Sequence, residues 1–326
     1  MATAIQIKEL LKTHSDGNDQ RFYAVAMQVA AAEAKKGNKK LAQDIRDLVD
    51  RARIQKSNTT VGKVLHVATP RGEAADLLEA IHDNRKLSDL VLNKSLSERV
   101  SRILGEQHNL SRIKANGLKP RQRLLFTGPP GCGKTFTASA LANELGVPLF
   151  VIRLDALITR YLGESLSKLR VIFDAINNSK AVYLFDEFDS VGYSREFEND
   201  VGEMRRILNG FLMNIEKLNS ESIVISATNY GEKLDKALYR RFDDLIEFSL
   251  PNDEEIWKTF LQLLKGFQTS KLSQNKIVQA ARGLSYAEIT RACEEAIKDM
   301  IIHDKKKINS TMLLNAVTER RLFSNH

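Results

Sequence analysis

Arg123-Leu124-Leu125-Phe126-Thr127-Gly128-Pro129-Pro130-Gly131-Cys132-Gly133-Lys134-Thr135 is the stretch that decides the fold. Its first five residues form a short, mostly apolar run, which predicts a buried strand. The next eight match G-x-x-x-x-G-K-[ST], a pattern that binds phosphate when it joins a strand to a helix. A helical run over 135–145, opened by Phe136, supplies that context. The chemistry accounts for the residue types. Glycines allow the tight turn that points several backbone N–H groups at phosphate oxygens. The helix starting there adds the positive end of its dipole. Lys134 reaches the β- and γ-phosphates, and Thr135 offers its hydroxyl to Mg2+. Gly128, Pro129, Pro130, Gly131, Cys132, Gly133, Lys134, Thr135 and Phe136 are therefore the expected nucleotide-binding set.

Working outward, short apolar runs at 148–152, 181–185, 223–227 and 245–249 predict four more strands, separated by helical segments. Such strands suit a parallel sheet covered on both faces, and the alternation with helices suggests βαβ units. Over 203–217, Met204, Ile207, Leu208, Phe211, Leu212 and Ile215 make one apolar stripe of a core-facing helix. After Pro251 the strands stop, and 253–266, 275–283, 285–303 and 309–321 read as helices. Upstream, 77–104 reads as a helical approach, 57–75 shows little periodicity, and 3–56 reads as helices broken at Gly37-Asn38. The expected fold is α/β, a P-loop domain with a doubly wound, five-stranded parallel sheet. A small all-helical lid comes after it and a helical N-terminal domain precedes it. The expected boundaries are 1–60 for a helical client- or adaptor-binding domain, 61–84 for a linker, 85–250 for the α/β domain and 251–326 for the lid.

Val182-Tyr183-Leu184-Phe185-Asp186-Glu187 is an apolar run ending in two carboxylates. Ligands of open parallel sheets bind beyond the carboxyl ends of strands, so Asp186 is expected beside the phosphate loop, holding Mg2+ together with Thr135. Glu187 is then placed to polarise an attacking water, a task that needs position more than a strong base.

Composition sets the wider bounds. The 326 residues are 43% hydrophobic and 28% charged, ordinary for a globular protein. No run of 18 apolar residues predicts a transmembrane helix. The first 30 residues lack a basic head, an apolar run and a small-residue cleavage site, which predicts no export. Cys132 and Cys293 suggest neither a disulfide framework nor a metal site, and the expected location is the cytoplasm. The net charge is +8; residues 1–120 hold 21 Lys and Arg against 14 Asp and Glu, and the remainder 28 against 27. A basic N-terminal third fits a nucleic-acid or acidic-protein partner, and equally a solvated helical surface.

The phosphate loop and acidic pair, together with segments further along the chain, resemble the AAA ATPase family over roughly residues 85–323, most closely its spastin, katanin and Vps4-like branch. The resemblance implies an ATPase with ATP and Mg2+ as ligands. Ile223-Val224-Ile225-Ser226-Ala227-Thr228-Asn229 looks like the family's sensor strand, so Asn229 is expected at the γ-phosphate or the attacking water. Leu234-Asp235-Lys236-Ala237-Leu238-Tyr239-Arg240-Arg241-Phe242-Asp243 resembles the segment that carries arginine fingers. Arg240 and Arg241 match them, while Asp243 and Asp244 replace the usual basic residues after the phenylalanine. Gly283-Leu284-Ser285-Tyr286-Ala287-Glu288-Ile289 aligns with a lid segment in which Tyr286 takes the place of a usual glycine. Residues 89–92 resemble the segment along the adenine. Arg160-Tyr161-Leu162-Gly163-Glu164-Ser165 resembles a pore loop, with Tyr161, Leu162 and Gly163 gripping a substrate chain, and 192–200 a second one. The resemblance thus implies a homo-oligomer, a hexamer, acting on a polypeptide, with a separate protease or adaptor as a further partner. A DNA- or RNA-directed ATPase and a slow nucleotide switch are the alternatives.

Overall fold

The computed structural model describes residues 73–81, 83–157, 164–188, 201–231 and 239–324, with isolated positions between 26 and 43. The chain divides into two compact units, Met1–Leu65 and His66–His326, and the second carries the architecture described here. The helices expected within 3–56 fall largely outside the described residues.

The six strands are β1 (Leu78–Ile81), β2 (Arg123–Thr127), β3 (Leu149–Ile152), β4 (Val182–Phe185), β5 (Ile223–Thr228) and β6 (Asp244–Glu247). They form one sheet in the order β1-β3-β4-β5-β2-β6. All neighbours run parallel except β1, which pairs antiparallel with β3 from Leu78↔Ile152 to Ile81↔Leu149. The helices are α1 (Ala74–Leu77), α2 (Lys94–His108), α3 (Leu110–Ala115), α4 (Lys134–Leu145), α5 (Leu154–Leu157), α6 (Glu164–Asn178) and α7 (Val201–Glu216) beside the sheet. Four more, α8 (Asp253–Leu263), α9 (Gln274–Ala281), α10 (Tyr286–Ile302) and α11 (Ser310–Ser324), form the lid.

β4 and β5 are buried along their whole length, and alternate side chains enter opposite layers as strand geometry requires. Val182 and Leu184 join Leu124, Phe126, Ile225 and Ala227 against α2 and α4. Tyr183 and Phe185 join Phe150 and Ile152 against α6 and α7, where Ile207, Phe211 and Ile215 bury the expected stripe. Phe211 sits 4.9 Å from Phe185 and 4.7 Å from Phe188, ring centre to ring centre. The lid has a separate core of Ile256, Phe260, Ile277, Ile289, Cys293, Leu313 and Val317. Asn252 and Glu255 close a reciprocal cap at the start of α8, 2.9 Å in each direction.

The expected five strands are all present, within one or two residues at each end. To the expected five-stranded parallel sheet the structure adds a sixth strand, β1, antiparallel at the edge. Leu78-Glu79-Ala80-Ile81 lies where helical spacing is expected, and Leu, Glu and Ala favour helix. Pairing with β3 overrides that preference, since the sheet edge offers backbone partners that a four-residue helix lacks. Residues 74–81, inside the stretch expected as a linker, form α1 and β1.

Candidate active site

Strand register places the site. Thr127 of β2 pairs with Thr228 of β5, and Phe185 of β4 pairs with Ser226 of β5. The three chain segments leaving these strands, 128–134, 186–188 and 229–231, therefore emerge side by side at one end of the sheet. This is the carboxyl end, where parallel sheets bind ligands.

The segment after β2 turns on Gly128, Gly131 and Gly133, with φ of 135°, 73° and 96°, a region closed to most side chains. Lys134 begins α4 and is 7% exposed. Its Nζ donates to Gly128 O at 2.7 Å, Pro129 O at 2.9 Å and Asn229 Oδ1 at 2.8 Å. The ammonium is thus fixed between the loop and the end of β5. Thr135 Oγ1 donates to Asp186 Oδ2 at 2.7 Å. Glu187 comes next with φ of 50°, one of two non-glycine residues at positive φ among the described residues. Its neighbours account for that strain: Glu187 N donates to Asp186 Oδ1 at 2.9 Å, and Phe188 N to Ala227 O at 2.8 Å. Phe188 is buried in the layer under α7, so the chain turns through Glu187 and leaves its side chain at the cleft.

The lid supplies the opposite wall. Ser285 caps α10 by accepting from Glu288 N at 3.3 Å, and Ala287 N donates to Gly131 O at 3.1 Å. A Cβ on Gly131 would lie 2.6 Å from Ser285 Oγ and 3.0 Å from Ala287 Cβ. The lid helix is therefore seated directly on the phosphate loop. Tyr286 Oη donates to Glu255 Oε2 at 3.2 Å, tying α10 to α8. Between the walls is a cleft of about 650 Å³, within the range of small-ligand sites. Lys134, Thr135, Asp186, Glu187 and Asn229 line one side; Gln262, Tyr286 and Ala287 line the other. Burial pushes the Cys132 thiol up, partly countered by the Lys134 charge. Burial and the Glu255 carboxylate push the Tyr286 phenol up.

Thr135 and Asp186 offer a hydroxyl and a carboxylate at one point, hard oxygen donors that fit Mg2+. No group of three or more His, Cys, Asp or Glu side chains able to hold a metal occurs among the described residues. A cation here would complete its shell with phosphate oxygens and water, the usual Mg2+ arrangement.

Residues 124–250 match the profile of the ATPase family associated with various cellular activities (AAA). An uncharacterized AAA family ATPase of Sinorhizobium fredii, y4kL, is 36% identical over 309 residues, which span 94% of this chain and 92% of the relative. The chain belongs to the AAA family. It is an ATPase, built to bind nucleotide. This AAA ATPase is also 32% identical, over 62% of its length, to a 26S proteasome regulatory subunit homolog of Methanothermobacter thermautotrophicus, spanning 55% of that protein. The AAA domain of FIGL-1 superposes with a TM-score of 0.60 at 22% identity, covering 75% of this chain and 86% of that one; this likeness shows the fold.

The remaining sequence candidates divide. Asp89, Leu90 and Val91, from the segment expected along the adenine, line the cleft of this AAA ATPase. Arg240 and Arg241 do not line it. Arg240 is exposed, and Arg241 forms an ion pair with Glu216 at the end of α7. Tyr161, Leu162 and Gly163, with 192–200, lie outside the described residues. Other lining residues carried no sequence signal: Arg85, whose guanidinium sits 4.7 Å over the Phe136 ring, and Thr259, Gln262, Arg291 and Glu294 of the lid. Gln262 donates to Ser88 O at 3.1 Å, joining the lid to the segment before α2.

Proposed function

We propose that this AAA ATPase works as a closed ring of like subunits, a hexamer, that hydrolyses ATP to thread or remodel a polypeptide. One observation carries the reading. The residues suited to phosphoryl transfer converge in the cleft, while Arg240 and Arg241 lie outside the lining of their own cleft. Arginines on the surface of one copy can complete the site of the next, and such head-to-tail contacts close into rings.

In this reading Lys134 and the N–H groups of the phosphate loop hold the β- and γ-phosphates. Thr135 and Asp186 hold Mg2+, which neutralises phosphate charge when bound. Glu187 orients the water that attacks the γ-phosphorus, and the electrons of the breaking bond pass to the bridging oxygen of ADP. Asn229 carries both a donor and an acceptor, so its amide can bridge that water and a γ-phosphate oxygen. Arg240 and Arg241 of the neighbour stabilise charge on the transferring group. Tyr161, Leu162 and Gly163 grip the substrate chain, an aromatic giving contact without sequence specificity. The kinship with a proteasome regulatory homolog supports a protein substrate, with a protease or adaptor as a separate partner. Two free, buried cysteines fit a reducing compartment, and we place the work in the cytoplasm.

The test is the ATPase rate per subunit against protein concentration. The expected rate climbs as rings assemble, and Arg241→Ala loses about 10³-fold. Tyr161→Ala is expected to keep hydrolysis and lose substrate unfolding. A rate independent of both concentration and Arg241 would mean a site complete in one chain, and the ring reading would be abandoned.

A further inference from the structure

We infer that Asp243, with Asp244 beside it, is a positioning residue for the trans-acting arginines: it clamps the turn bearing Arg240 and Arg241 to the start of β2. The inference rests on the ring reading above and adds to it the device that fixes the fingers in place.

Both carboxylates are fully engaged. Asp243 Oδ2 accepts from the backbone N–H groups of Gln122 at 3.0 Å and Arg123 at 2.9 Å. Its Oδ1 accepts from Arg123 Nε at 3.1 Å and also from Arg123 Nη2. Asp243 N in turn donates to Arg123 O at 2.7 Å. Asp244 Oδ1 accepts from Arg99 Nη1 at 2.7 Å, and Oδ2 pairs with Arg121 Nε at 3.2 Å. Arg121 is braced by Glu106 of α2. The aspartate side chains are only 21% and 13% exposed, so this is a two-point, partly desolvated contact of the strong kind.

The other end of the turn is held as well. Tyr239 Oη donates to Gly231 O, two residues beyond Asn229. Arg240 and Arg241 are thus strung between a tether on the segment leaving β5 and a clamp on β2. Both of these strands deliver cleft residues. Basic side chains at 243 and 244 would face Arg123, Arg121 and Arg99 and could not close this clamp. The two aspartates therefore have a geometric role: they fix the turn from which Arg240 projects to the surface and from which Arg241 reaches Glu216 of α7, and so set where both arginines start from when a neighbour docks.

The test uses the full chain and mixed assemblies. Asp243→Asn keeps the shape but loses the ionic contact. Its expected rate per subunit falls tenfold to a hundredfold, on the order of what a displacement of about 1 Å costs. Its affinity for a fluorescent ATP analogue stays at the wild-type value. Arg123→Lys, which keeps the charge but not the two-point contact, shows the same pattern and guards against a folding defect specific to position 243. Each variant is then mixed in equal amounts with Glu187→Gln, which is designed to bind ATP without turnover while presenting intact arginines. Random assembly leaves about a quarter of all subunits as variant sites served by an intact neighbour, so the expected rate recovers to about one quarter of wild type. Arg241→Ala mixed with Glu187→Gln is the control. If that control recovers and Asp243→Asn does not, Asp243 serves only its own subunit and the inference is overturned. An undiminished rate for Asp243→Asn alone overturns it too. If the Arg241→Ala mixture stays inactive, the ring reading itself fails, and the inference falls with it.

Discussion

Replacing Gly131 by alanine tests how tightly the lid rests on the phosphate loop. Gly131 has φ of +73°, and holding alanine in the left-handed region costs about 1–2 kcal/mol. The new methyl would meet Ser285 Oγ at 2.6 Å and Ala287 Cβ at 3.0 Å. Ser285 cannot swing away freely, because its hydroxyl caps α10 through Glu288 N; losing such a cap costs about 1 kcal/mol. Gly146, at the end of α4, separates the two contributions. Its φ is +64°, and an added methyl meets nothing within 4 Å, so Gly146→Ala carries the backbone cost alone. Urea unfolding should therefore find Gly131→Ala about 1 kcal/mol less stable than Gly146→Ala. Nucleotide titration should find Gly131→Ala weaker by roughly fivefold or more, the equivalent of that energy in binding, with Gly146→Ala close to wild type. Equal unfolding midpoints, together with wild-type nucleotide affinity for Gly131→Ala, would refute the claim that the lid helix is seated on the loop.

Tyr286→Phe removes one hydrogen bond to the Glu255 carboxylate, which keeps its bond from Asn252 N. The expected loss is about 1 kcal/mol of lid stability, read from the fluorescence of Trp257, the chain's single tryptophan. Burial pushes both thiols up, Cys293 to about 12. Iodoacetamide should thus modify Cys132 more slowly than an ordinary thiol, with the rise in rate displaced to higher pH, and leave Cys293 intact until the protein unfolds; peptide mass spectrometry checks this, with ATP slowing the reaction at Cys132. For Asp243, burial pushes the carboxyl up, but the hydrogen bonds from Arg123 and from the Gln122 and Arg123 backbone outweigh it and hold the carboxyl below the ordinary carboxylate range. A lowered folded-state value means stability that is present above about pH 4 and lost as pH falls further. Asp243→Asn should flatten that part of the acid-unfolding profile, and an unchanged profile would contradict the assignment.

Most of the sheet was legible because its strands are short, mostly apolar runs bounded by glycines, prolines or charges. Residues 182–185 and 223–228 have no amphipathic alternative, and the structure buries both completely. The phosphate loop was legible because backbone geometry restricts which residues fit it. β1 was not, because Leu78-Glu79-Ala80-Ile81 states a local preference for helix that only the partner strand β3 reverses. The lid wall of the cleft was hidden for a related reason. Gln262, Arg291 and Glu294 are polar positions on α8 and α10 that look like any solvated surface until folding turns them toward the loop, and Thr259, buried in α8, looks like any core-facing hydroxyl. The aspartates after Arg241 were visible as a departure from the family pattern. Their meaning depended on Arg123, Arg121 and Arg99, which are more than a hundred residues away along the chain.

The sheet also has consequences for crowding. Among the described residues, both of its borders are four-residue strands, β1 carrying Glu79 and β6 carrying Asp244 and Glu247. An open border is a template on which another chain can add by backbone pairing, and brevity and charge are the two common ways to blunt it. For a chain proposed to spend its life packed against copies of itself, these stubby, acidic margins favour contact through side chains over strand-to-strand fusion, and with it reversible assembly over fibre growth.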